Sequence, residues 1–228
     1  MTFSIAAFDQ ESGEVAVGAV TAMPAVGKLV THARAGVGAA CTQATLNPYL
    51  AIDALDGLAD GKLAKAALDD VIIDDPGKDV RQCGVVDTHG GSHAWTGADT
   101  PEWSGHRVAP CVTAQGNRLV GPETLDAVVA AFEAAEGQVL ARRILAALEA
   151  GEATGADRHG AVSATLTVFS TEDYPLWDVR VDHDDAPVAR LRERVDEFEE
   201  TLLPIVRALP TRADPLGDAA RHEGESLA

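Results

Sequence analysis

Thr2-Phe3-Ser4-Ile5-Ala6-Ala7-Phe8 opens the chain behind Met1, and Glu14-Val15-Ala16-Val17-Gly18-Ala19-Val20 resumes it after the polar break Asp9-Gln10-Glu11-Ser12-Gly13. Phe3, Ile5 and Ala7 alternate with Thr2, Ser4 and Ala6, and the second run is rich in valine. Two strands joined by a loop are the natural reading. Period two places Ser4 on the face of Thr2. A third strand is expected over 36–42. After Asn47-Pro48 the spacing turns helical, through Leu50, Ala54, Leu55 and Leu58 to Gly61, and again through Leu63, Ala67, Leu68, Val71 and Ile72.

Beyond Asp74-Asp75-Pro76-Gly77 the alternation returns, with strands expected over 80–86 and 92–96 about a Gly90-Gly91 turn and a further strand over 111–115. Pro122 then introduces a helix carrying Leu125, Val128, Val129 and Phe132, a second helix is expected over 139–148, and strands over 161–169 and 176–181 close the body. Blocks of strands separated by pairs of helices, with hairpin-length turns, favour antiparallel sheets over a parallel doubly wound one. The expected fold is therefore α+β: a four-layer αββα sandwich of two mainly antiparallel sheets covered by helix pairs, over residues 1–183. An amphipathic helix follows at 184–210, and a loose tail at 211–228. Val188, Leu191, Val195, Phe198, Leu202, Ile205 and Leu209 repeat at three and four. That stripe serves either the chain's own core or a homodimer through the 188–209 helix, with Pro204 as a kink.

Composition excludes several functions. Of 228 residues, 36 are acidic and 18 basic, a net charge of -18 that repels phosphate backbones and anionic lipid surfaces. Neither nucleic acid nor membrane is expected as a partner; a small-molecule substrate is. Cys41, Cys83 and Cys111 are odd in number and lack a Cys-x-x-Cys pair, which reads as buried free thiols in a reducing compartment. The start of the chain has no basic leader and the uncharged run 15–27 is too short to span a bilayer, so a soluble cytoplasmic protein is expected. No glycine-rich phosphate loop and no Gly-x-Ser-x-Gly elbow occurs, so no cofactor is expected. His89 and His93 straddle a hairpin turn rather than a helix face, and no metal site is expected.

Thr2 carries the chemistry. With Met1 trimmed, its hydroxyl and a free α-amine share one residue, and the amine can act as base for its own side chain. Amide donors for an oxyanion are available in Asn117, expected in a tight Gln115-Gly116-Asn117 turn, and in Gln43 and Asn47 at a strand-to-helix junction; loop stitching is their other use. Arg34 and Arg81 are cations within apolar strands and need a partner, either a substrate carboxylate or an internal Asp such as Asp87 or Asp157. His106 is either a pocket wall or an acid-base group. Asp157 and Ser163 either tune the Thr2 amine or register the last strands.

Several strings together resemble the domain-of-unknown-function family numbered 1028, grouped by resemblance with the N-terminal nucleophile (Ntn) hydrolases. They are Met1-Thr2-Phe3-Ser4-Ile5, Ala33-Arg34-Ala35-Gly36-Val37-Gly38-Ala39, Thr42-Gln43-Ala44 with Asn47-Pro48, Asp79-Val80-Arg81-Gln82, Trp103-Ser104-Gly105-His106, Gln115-Gly116-Asn117 and Asp157-Arg158-His159-Gly160 with Ser163. Tyr49-Leu50-Ala51-Ile52 departs from the family's glycine-bearing segment, as do His159 and Val162 from its usual residues. The resemblance implies the Ntn hydrolase-like αββα sandwich. It also implies an amidohydrolase cleaving a small amide, imide or peptide-like bond, with Thr2 and Asn117 catalytic. Ser4, Arg34, Gln43, Asn47, Arg81, Gln82, His106 and Gln115 would contact substrate, and Asp157 and Ser163 would support them. The alternative is a binding or structural protein that keeps the fold without the chemistry.

Overall fold

The computed structural model describes residues 1–100, 102–156 and 160–218. In chain order the elements are β1 (Thr2–Phe8), β2 (Val15–Thr21), the short α1 (Gly27–Val30), β3 (Thr31–Arg34), β4 (Gly38–Ala44), α2 (Tyr49–Ala59), α3 (Ala64–Asp74), β5 (Arg81–Asp87), β6 (Ser92–Thr96), β7 (Trp103–Ala109), β8 (Val112–Leu119), α4 (Glu123–Ala134), α5 (Leu140–Ala153), β9 (Ser163–Phe169), β10 (Trp177–Val181), α6 (Pro187–Thr201) and α7 (Leu203–Arg207). The fold is mixed α+β, with two antiparallel sheets: six strands in the order β10-β9-β2-β1-β8-β7 and four in the order β3-β4-β5-β6.

The alternation in β1 sorts two environments. Phe3, Ile5 and Ala7 pack with Leu125, Val128 and Phe132 of α4 and Ile144 and Leu148 of α5 in the larger core. Ala6 and Phe8 point the other way and meet Ala39 and Cys41 of β4 and Val86 of β5, so the two sheets face each other. Ala40, Cys83 and Val85 turn outward from the small sheet onto Leu50, Leu55, Leu68 and Ile72 of α2 and α3. Gly18 allows α5 to lie close on β2: a Cβ there would meet Ile144 Cγ2 at 2.7 Å.

Three sequence expectations are corrected. The strand expected over 36–42 is β4, displaced toward the helix, and a separate four-residue edge strand, β3, precedes it. The segment Gln115–Asn117 is not a turn but the middle of β8, paired with the unanticipated strand β7 through a hairpin at Pro110 and Cys111, the latter at φ 64. Of the cysteines, Cys41 and Cys83 are buried while Cys111 is only partly so.

The 188–209 stripe divides. Val188, Leu191 and Val195 are buried in the large core and Phe198 stacks on Trp177 with ring centroids 5.1 Å apart, so this half serves the chain's own core. The helix breaks between Thr201 and Leu203, just before Pro204, whose missing N–H cannot continue the ladder. Beyond the break Leu202, Ile205 and Leu209 are exposed. Among the described residues no helix is long and apolar enough to cross a membrane.

Candidate active site

Strand register sets polar side chains in one line across the large sheet. Thr2 pairs with Thr21 on one side and Asn117 on the other; Asn117 in turn pairs with Ser104, and Thr21 with Ser163. Directly opposed residues share a face, so Ser104, Asn117, Thr2, Thr21 and Ser163 form a polar row at the end where β1 begins. The face is the one turned toward the small sheet, because Ser4, two residues along β1, bonds to Gln43 of β4.

The Thr2 and Thr21 hydroxyl oxygens lie 3.0 Å apart, and the Thr21 hydroxyl donates to the Met1 carbonyl at 2.7 Å. A hydroxyl has one proton to give. The Thr21 proton is given to the Met1 carbonyl oxygen, so Thr2 is the donor in the pair, and Thr21 is held at the carbonyl of the Met1–Thr2 peptide bond. Ala22 N also donates to Met1 O, at 3.4 Å.

Beneath this row lies a buried network of side-chain amides. Gln43 Nε2 donates to Gln82 Oε1 at 2.8 Å and lies within reach of Gln115 O at 3.1 Å and Thr2 O at 3.3 Å. Asn117 Nδ2 donates to the same Gln82 Oε1 at 3.1 Å. Gln82 Nε2 is directed at Gly116 O, Gly105 O and Thr96 Oγ1 at 2.9–3.0 Å. Gln115 Nε2 donates to Ser4 Oγ at 2.7 Å, and Ser4 Oγ donates to Gln43 Oε1 at 2.7 Å. Amide groups so deep in a sheet-to-sheet interface are costly to leave unpaired, at about 1–3 kcal/mol each, and among these amides only Gln115 Oε1 has no partner among the described residues. The protons of Gln43 and Gln82 thus stitch the two sheets. Asn117 has a second N–H beyond the one given to Gln82, which makes it the amide of the set best able to donate to a new acceptor.

The network ends at His106, whose Nδ1 lies 2.9 Å from Thr96 Oγ1. Thr96 accepts from Gln82 and has its own proton to donate, which fits a neutral ring with Nδ1 as acceptor. Burial, reinforced by the His93 and Arg107 charges, holds the His106 pKa below the ordinary histidine value. Cys41, between the sheets, is pushed up to about 12 by burial and is no nucleophile.

Other expected site residues lie elsewhere. Arg34 pairs with Asp56 at 2.8 Å on the surface of α2. Arg81 Nε pairs with Asp75 at 2.8 Å while its Nη1 donates to Thr45 O at 2.6 Å, and Arg81 holds the Asp75 carboxyl below its usual range. Both arginines therefore have internal partners, but not Asp87, whose carboxylate caps α3 by accepting from Ala64 N at 2.8 Å and braces the next turn through His89 N and Gly91 N. Asn47 Oδ1 accepts from Tyr49 N at the start of α2, the stitching use. Ser163 stands in the polar row, with its hydroxyl donating to Met23 O at 2.6 Å. Asp157 lies outside the described residues.

Thr21, Ser104 and Thr96 were missed by the sequence reading. The register of the β1–β2 hairpin pairs Phe8 with Val15 and so brings Thr21 opposite Thr2; counting back across the Asp9–Glu14 loop would have found it.

Family and structure comparisons agree with this architecture. The model of the family described as "Family of unknown function (DUF1028)" matches residues 2–191, and the chain belongs to that family. The chain is similar to the crystal structure of protein SPO2555 from Silicibacter pomeroyi, also assigned to DUF1028. The two share 29% identity over 95% of this chain and 94% of that one, with a TM-score of 0.87. A search of curated proteins gave no match.

Proposed function

We propose that this member of the DUF1028 family is an Ntn-type amidohydrolase that cleaves a small amide, imide or peptide-like bond through Thr2 after Met1 is removed. The observation that carries the reading is the polar row, with Thr2 at its centre between Thr21 and Asn117. Facing sheets with helix pairs outside them are what an Ntn hydrolase-like αββα sandwich requires, and the buried thiols of Cys41 and Cys83 suit a cytoplasmic protein.

In this mechanism the Thr2 amine, with an ordinary α-amine pKa of about 7.7–8.0, takes the hydroxyl proton as Oγ1 attacks the substrate carbonyl carbon. The C–N bond breaks and the amine passes that proton to the leaving nitrogen. Water then attacks the Thr2 ester, releases the acid and restores the hydroxyl. Asn117 donates to the oxyanion. Thr21, freed of the Met1 carbonyl, accepts from the new amine and keeps it directed at Oγ1.

A second reading, a binding protein that retains Met1, has one observation in its favour: the Met1 carbonyl is accommodated by the Thr21 hydroxyl and the Ala22 amide. The two separate on turnover of a panel of small amides, imides and dipeptides. The amidohydrolase loses about 10⁴-fold or more in kcat on Thr2→Ala and keeps measurable activity in Thr2→Ser. Inertness toward every panel member favours the binder, and turnover unaffected by Thr2→Ala removes Thr2 as the nucleophile.

A further inference from the structure

The small sheet has four strands and the large one six, so the inner faces of β9 and β10 extend past the edge strand β3. A groove of ≈ 160 Å³ runs there, with Thr165, Thr167, Asp178 and Arg180 as its floor and Lys28 and the β3 edge as its wall. Such a volume is well below the roughly 300–1,000 Å³ of pockets for drug-sized ligands and suits a small metabolite.

Its floor is an ordered array. Arg180 is the cross-strand partner of Thr165, and Asp178 of Thr167, so cation and anion lie two residues apart on one face of β10, each beside a threonine. Thr165 is fully buried, yet its hydroxyl has no hydrogen-bond partner among the described residues. Buried hydroxyls are normally satisfied, and leaving one unpaired is costly. His32 Nε2, which lines the same groove, is likewise unpartnered among the described residues.

The charges are equally uncommitted. Lys28 and Asp178 join no ion pair among the described residues, and Arg180 reaches its one partner, Asp182, only at 3.9 Å. The stem of Arg180 is seated against Gly27, where a Cβ would meet Arg180 Cδ at 3.3 Å. In a chain of net charge -18, two cations and a carboxylate left without close partners around a buried hydroxyl form a two-signed site rather than a stray patch.

We infer that this groove binds a small zwitterion of the α-amino acid type. The ligand carboxylate sits on Arg180 and Lys28 and accepts the Thr165 hydroxyl proton; its ammonium donates to Asp178 and the Thr167 hydroxyl. Charge-assisted hydrogen bonds of both signs make the site selective for molecules carrying both groups at close spacing. The site is separate from Thr2: β2 intervenes between β1 and β9 in the large sheet, and Ala19, Val26 and Val30 pack together on the same side of β2.

Isothermal titration of the full chain with glycine, L-alanine, L-glutamate and L-lysine, and with acetate and methylamine as the two halves, tests the inference. At least one amino acid should saturate a single site per chain. Acetate and methylamine should each bind about tenfold more weakly or worse. Arg180→Gln and Asp178→Asn, both at exposed positions, should each weaken binding about tenfold. Thr165→Val keeps the side-chain volume and should weaken it while leaving the fold intact by circular dichroism. Thr2→Ala should bind as the parent does, so failure of the hydrolase proposal leaves this one standing. No saturation by any of the four, equal binding of acetate alone, or binding indifferent to both Arg180→Gln and Asp178→Asn overturns it.

Discussion

Thr21 Oγ1 stands 3.0 Å from Thr2 Oγ1 and 2.7 Å from the carbonyl oxygen of the residue that must leave for Thr2 to become a terminus. One hydroxyl therefore touches the proposed nucleophile and the carbonyl of the peptide bond whose cleavage frees the proposed base. Thr21→Val keeps the shape and removes that contact. We expect kcat to fall about 10–100-fold with KM little changed, and the alkaline-rising limb of the pH profile to move, because the amine loses a hydrogen-bond partner. Thr21→Ser should restore both; a Thr21→Val enzyme with parental kcat would exclude Thr21 from the mechanism.

Gly84 of β5 faces the amide network from the small sheet. A Cβ there would overlap Gln115 Oε1 and stand 2.6 Å from Thr113 Oγ1, so Gly84→Ala must displace Gln115 and break its bond to Ser4. Overpacking together with an unpaired buried amide predicts a loss of about 3 kcal/mol or more in urea unfolding. A loss below about 1 kcal/mol would mean that the sheets can slide apart locally without cost to the network.

The two arginines that stood out in the sequence should behave differently. The Arg81 and Asp75 side chains are 17% and 6% exposed, those of Arg34 and Asp56 42% and 60%. Arg81→Ala leaves a buried carboxylate and is expected to cost about 2–4 kcal/mol, whereas Arg34→Ala should cost less than about 1 kcal/mol. Because the folded Asp75 pKa lies below its unfolded value, its contribution is present above the unfolded pKa and is lost as pH falls toward the folded one. Arg81→Ala should therefore lose less stability than the parent on acidification below about pH 4.

His106 acts in the same direction as Asp75 but in a higher pH window. Its folded pKa is lowered by burial, so in the window below about 6.5 the unfolded chain binds a proton that the folded one refuses. Stability should fall as pH drops through that window. His106→Asn, which can accept from Thr96 without titrating, should flatten the slope in a series of melting curves; an unchanged slope would place the titration in another group, such as His32, whose pKa burial also lowers.

Much of this architecture was legible in the chain itself. The alternation in Thr2–Phe8 separates the helix-facing Phe3 and Ile5 from the sheet-facing Ser4, and the helical spacing around Leu55, Leu68, Leu125 and Ile144 locates both helix pairs. What escaped was decided by pairing across the fold. β3 has only four residues and no alternation to count, and β7 carries Ser104, Gly105, His106 and Arg107 on a half-exposed edge, so neither reads as a strand. Asn117 looks like a turn residue until β7 is known to continue the sheet beyond it. The arginine partners could not be chosen in advance either, since Asp56 and Asp75 reach Arg34 and Arg81 only through the docking of α2 and the loop after α3.

The most direct measurement is the intact mass of the purified protein before and after incubation with an electrophilic β-lactone, followed by peptide mapping. The account predicts a chain lighter by one methionine residue that gains a single acyl group on Thr2, with no adduct in Thr2→Ala. A chain that retains Met1 and takes up no label at Thr2 would contradict it.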